Sequence, residues 1–132
     1  MNVERLLQLA VACENCPSEL WYDNAYIYRL TKQGIIGCAA ARCVELWPDI
    51  WRVNFIELMF ICERSGENRC YSLECVGYIG STWDCLEQFF ELTTEQEEYI
   101  FNSGSSDEST RTAKQCAAMI REFVASNGKV PE

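Results

Sequence analysis

The sequence predicts an α+β fold, mostly helical, compact and single-domain over residues 1–132, with one small antiparallel β-hairpin. Three observations carry that expectation. Several stretches repeat apolar residues every three or four positions, which is the helical period. One pair of β-prone runs flanks a tetrapeptide of turn-forming residues. Hydrophobic residues make up 48 % of the 132-residue chain, enough to build a core without disulfides or metal.

The first predicted helix is "VERLLQLAVACEN", with Val3, Leu6, Leu7 and Ala10 on its stripe and Asn2 as cap. Pro17 cannot continue a helix interior, so the helix is expected to end near Asn15. The early acid and the lack of a small-residue cleavage pattern read as a helix and not as an export signal. The aromatic-rich "PSELWYDNAYIYRLTKQG" is less periodic and is expected to be a loop or a short extended piece. Its Trp21, Tyr22, Tyr26 and Tyr28 would close over the core. "CAAARCVELW" suits a closely packed helix through Cys38, Ala41, Val44 or Cys43, and Leu46, ended by Pro48.

"VNFIELMFICERSGENRCYSLECVGY" is the hairpin, turning at Ser65-Gly66-Glu67-Asn68. Its Ile, Val, Phe and Tyr content favours strand over a buried helix. Ser81 or Thr82 then caps a helix through Glu91 with Trp83, Leu86, Phe89 and Phe90 as its core stripe. Thr93 and Gln96 have capping-box spacing, so a short helix follows through Phe101. "NSGSSDEST" is a loop by composition. A last helix runs from about Arg111 to Ser126, with Ala113, Cys116, Ala117, Ile120, Phe123 and Val124 inward, and ends at Asn127-Gly128.

Charge is the uneven feature. The net charge is −9, and between Arg69 and Arg111 there are nine acids and no Lys or Arg. The rest of the chain is neutral, with 11 acids and 11 bases. Six of the nine acids, Asp84, Glu87, Glu91, Glu95, Glu97 and Glu98, lie between Trp83 and Phe101. Such a surface repels nucleic-acid phosphates and favours basic partners. The six are expected to point outward from two rigid helices and to bind a basic protein surface, with Trp21 to Tyr28 as candidate aromatic anchors. The plainer alternative is a solvated face that keeps the protein in solution.

Other chemistries have less behind them. There is no histidine, which excludes every mechanism that uses imidazole as base, relay or ligand. Carboxylate pairs such as Asp84 with Glu87 would need an apolar cleft to act as acid and base. "GYIGSTWD" leads into a capped helix but lacks the third Gly and the Lys of a phosphate loop. No catalytic residue, cofactor, membrane or direct nucleic-acid contact is expected. Nine cysteines, an odd number, point to free thiols in a reducing cytoplasm. The competing reading is a cysteine-ligated metal or redox protein built on the C-x-x-C pair Cys13 and Cys16. A second such pair for zinc and the βαβ context of a thioredoxin motif are both missing.

Taken in order, "GCAAARC" (37–43), Trp83 with "CLEQFFELTTEQEEYIF", and "AAMIREFV" resemble a group of small bacterial and phage proteins with the pattern "ACxAGxA … W … FFGLT … LF". This chain has Ala41 and Arg42 where the group's first motif carries Gly and often His, and Glu91 where "FFGLT" has Gly. The resemblance implies a compact, mostly helical fold with a small sheet, and no activity. Together with the charge map, it makes the expected function a non-enzymatic interaction module. Its most concrete version is a phage-type inhibitor of a host nucleic-acid-binding defence system, of the anti-CRISPR kind.

Overall fold

The computed structural model describes residues 1–23, 25–57, 59–61, 69–101 and 111–131. The fold is α+β. Among the described residues five α-helices, α1 (Val3–Glu14), α2 (Ala39–Leu46), α3 (Thr82–Phe90), α4 (Thr94–Phe101) and α5 (Ala113–Ala125), surround one core. Two antiparallel hairpins complete it, β1 (Arg29–Thr31) with β2 (Gly34–Ile36) and β3 (Trp51–Glu57) with β4 (Arg69–Cys75).

α1 and α5 form the most extensive helix pair. Asn2 caps α1 by accepting the Arg5 N–H at 3.0 Å. The inner face is Leu6, Leu9, Ala10 and Cys13. Val3 and Leu7, expected on the stripe, are exposed instead. The phase is set by α5, which brings Cys116, Ala117, Ile120 and Phe123 against the α1 face centred on Leu9. Thr112 and Gln115 close a reciprocal capping box on α5, with bonds of 2.9 and 3.1 Å.

The segment expected to be irregular holds a 3-10 turn at Ser18–Leu20 and the β1–β2 hairpin. Three-residue strands are too short to show alternation, so this second hairpin was invisible to periodicity. Thr31 organises its turn: the side-chain oxygen accepts from the Gln33 and Gly34 amides, each at 3.2 Å. Gly37 leads into α2, and a Cβ there would collide with the Tyr26 carbonyl and the Ala41 methyl. Cys38 caps α2, whose next five residues are all buried, Arg42 among them.

β3 and β4 pair in register from Trp51 opposite Cys75 to Glu57 opposite Arg69. The expected turn at Ser65–Asn68 lies outside the described residues, as does the loop 102–110. The base of the hairpin is tied to α3, because the Thr82 hydroxyl donates to the Leu73 carbonyl (3.2 Å) and accepts its N–H (3.1 Å). Phe89 packs edge-on against Trp47, Trp51 and Phe90 at centroid distances of 4.9, 5.3 and 5.0 Å. Arg5 covers this cluster, its guanidinium 4.0 Å above the Phe89 ring and bonded to the Phe89 carbonyl.

Trp83 was expected in that core and is 51 % exposed. Cys85, one turn position on, takes the inward place with Thr82, Leu86, Phe89 and Phe90. No helix among the described residues is long and apolar enough to cross a membrane.

Candidate functional site

The carboxylates of α3 and α4 do not form one uniform outward set. Asp84 is half-buried and works as the α3 capping box: its Oδ2 accepts from the Ser81 N–H and hydroxyl at 3.0 and 2.9 Å. Glu87 is also half-buried, and its Oε1 is enclosed without a hydrogen-bond partner among the described residues. Glu91 ends α3 in the left-handed region, at φ 56 and ψ 56. It is exposed, and one oxygen accepts from the Asn2 side-chain amide at 3.3 Å.

α4 begins with the reciprocal Thr93–Gln96 box, at 2.9 and 3.2 Å. Its first turn is also tied to the segment that follows α5, because the Gln96 side-chain amide donates to the Gly128 carbonyl at 2.8 Å. Glu95 and Glu98 are three residues apart on this held helix and are exposed. Glu97 is the correction. Expected in water, it is 1 % exposed and lies on the inner stripe with Ile100 and Phe101. Its carboxylate accepts the Tyr26 hydroxyl at 3.0 Å, so Tyr26 binds the interior and is no surface anchor for Glu97's field. Trp21 is likewise committed inside the fold, donating its indole N–H to the Arg111 carbonyl at 2.8 Å. Tyr22 and Tyr28 stack on each other at 4.2 Å.

The exposed acids are therefore Glu91, Glu95 and Glu98, with Asp84 and Glu87 partly accessible beside them. Among the described residues no Lys or Arg forms an ion pair with any of these five. With no such pair among the described residues, the field of an exposed carboxylate here reaches about a Debye length, roughly 8–10 Å at physiological salt.

Two charged constellations escaped the sequence reading. Asp23 is buried and holds Arg111 in a two-pronged pair, with Nη2 to Oδ1 at 2.9 Å and Nε to Oδ2 at 3.1 Å. The Arg111 backbone N–H adds a third bond to Oδ2 at 2.8 Å. Burial opposes the Arg111 charge, but the bond to Asp23 outweighs it and holds the guanidinium above its ordinary range. Beside this pair lies a cavity of about 620 Å³ walled by Cys16, Trp21, Tyr22, Thr112 and Lys114 among others. Arg42 is fully buried in α2, bonded to the Ile35 carbonyl and to Glu45 Oε1 at 2.6 Å. The one signal for it was a lone base inside the small apolar run "CAAARCV".

Cys13 and Cys16 part company. Cys13 is wholly buried on α1, while Cys16 lies past the helix end, half-buried, with its thiol on the Pro17 carbonyl at 3.4 Å. A hydrogen bond with Cys116, then burial, pushes the Cys13 thiol far above its ordinary range. Burial pushes Cys16 up, and Cys38 up to about 12. These thiols are protonated at neutral pH, whereas metal ligands and nucleophiles are thiolates. No group of three His, Cys, Asp or Glu among the described residues is placed to hold a metal ion.

Comparison with protein-family models, curated proteins and solved structures finds no match, so any functional reading rests on this geometry.

Proposed function

We propose that this chain is a non-enzymatic interaction module that offers Glu91, Glu95 and Glu98, with Asp84 and Glu87 beside them, to a basic surface on another protein. The observation that carries the reading is that these acids stand on two capped, mutually packed helices with no basic residue paired to them among the described residues. Carboxylates held on a rigid frame cost little to order on binding, and their long-range attraction speeds encounter. The partner class that fits is a protein whose basic surface otherwise carries nucleic acid. The module would then act as an inhibitor by occupying the phosphate track.

The test is retention of a basic nucleic-acid-binding protein on the immobilised chain. Binding should weaken by at least about tenfold between roughly 50 and 500 mM salt and be displaced by duplex DNA. The triple variant Glu91→Lys, Glu95→Lys, Glu98→Lys should lose binding while keeping its circular dichroism. Equal retention by the folded triple variant would remove this surface from consideration.

A further inference from the structure

The cavity beside the Asp23–Arg111 pair measures about 620 Å³, within the roughly 300–1,000 Å³ of small-molecule pockets. It lies between the segment that follows α1 and the first turn of α5. Trp21 and Tyr22 give it aromatic walls, and both side chains are held in place. The Trp21 indole N–H is fixed on the Arg111 carbonyl, and Tyr22 stacks on Tyr28 with centroids 4.2 Å apart. Walls ordered in advance cost little entropy when a ligand arrives.

The charged groups of this cavity are unequal. Two cations, Arg111 and Lys114, line it against one acid, Asp23. Asp23 is committed to Arg111, which bonds both of its oxygens. Lys114 is exposed and forms no ion pair among the described residues. The Ala113 and Lys114 N–H groups, in the first turn of α5, also have no acceptor among the described residues. Glu19, next to the lining Ser18, is exposed, and water and salt screen it. The uncompensated charge at the cavity is therefore positive, although the chain carries −9.

We infer that this cavity binds a small aromatic carboxylate, its ring against Trp21 and Tyr22 and its carboxylate toward Lys114. The chemistry on each side selects that class. A cation would meet Lys114 and Arg111. A neutral arene would leave Lys114 and the two amides without a partner. A bare inorganic anion would leave the aromatic walls unused. The site shares no residue with the acids of α3 and α4, so this inference and the proposed docking surface can fail separately.

The test is calorimetric titration of the whole chain with naphthoate, neutral naphthylmethanol and cationic naphthylmethylammonium. One naphthoate should bind per chain with a Kd at or below about 1 mM. The alcohol should bind at least about tenfold more weakly and the ammonium ion more weakly still. Proton and nitrogen chemical shifts should move most at the Trp21 indole N–H and the Ala113 and Lys114 amides. Lys114→Glu places an acid in a first helical turn, which suits the helix, so it should keep its circular dichroism. It should nonetheless weaken naphthoate binding at least about tenfold. Absence of saturable naphthoate binding overturns the inference. So does equal affinity for the alcohol or the ammonium ion, unchanged affinity in the folded Lys114→Glu variant, or shifts centred away from Trp21 and α5.

Discussion

Glu97 and its neighbours in sequence separate two roles that composition alone merges. Glu95→Lys changes an exposed side chain and should shift stability by no more than about 0.5 kcal/mol. Glu97→Lys forces a second kind of charge into the interior next to Tyr26, and should cost more than about 3 kcal/mol or prevent folding. Urea denaturation of the two variants side by side checks the contrast. Arg111→Ala belongs to the same scale. It leaves the buried Asp23 carboxylate without its guanidinium and should cost on the order of 3–5 kcal/mol by the same measurement. Cys38 adds a pH dependence. Its thiol titrates near 9.0 when unfolded and at about 12 when folded, so the unfolded chain gives up this proton first. Stability is therefore full below the unfolded value and falls as pH rises from about 9 toward 12. Urea midpoints under reducing conditions should decline across that window, and Cys38→Ala should make the decline shallower, with Cys43 and Cys75, also raised by burial, supplying the rest.

At the scale of elements, the end of α3 holds an unfavourable choice. Glu91 takes a left-handed conformation that a side chain resists and glycine adopts freely. This is the position where the resembling pattern "FFGLT" carries Gly. Glu91→Gly should raise stability by about 0.5–1 kcal/mol, seen as a higher melting temperature, because the exposed bond to Asn2 returns little. How much of each element was legible follows from its local signals. The helices could be read because capping residues and three-to-four periodicity coincide at Asn2, Ser81 and Thr93, and because α5 carries a clear apolar stripe; its Thr112 cap was a finding of the structure. The β3–β4 pair was legible from its β-branched and aromatic runs. The β1–β2 hairpin was not, since its order comes from Thr31 and from packing beside α2. Helix phase was the commonest miss. Trp83, Leu7 and Glu97 could each be placed only by knowing which neighbour covers the helix. Of the candidate site, the six acids were visible as letters, and the split between exposed, half-buried and interior was a tertiary fact.

At the scale of the whole molecule, the acidic end built on α3 and α4 answers to ionic strength. A salt series therefore reads it: partner capture should fade as salt rises. The exposed indole of Trp83 makes the acidic end observable without a label. It lies two residues after the capping Ser81 and directly before Asp84, while Trp51 is sealed in the core and Trp21 and Trp47 are only partly exposed. A negatively charged quencher such as iodide should be held away from Trp83 and dim its fluorescence poorly. Caesium, a cation, should collect there and quench well, and neutral acrylamide should fall between. A docked basic protein would shield the ring from all three, so the loss of caesium quenching would report occupancy in real time.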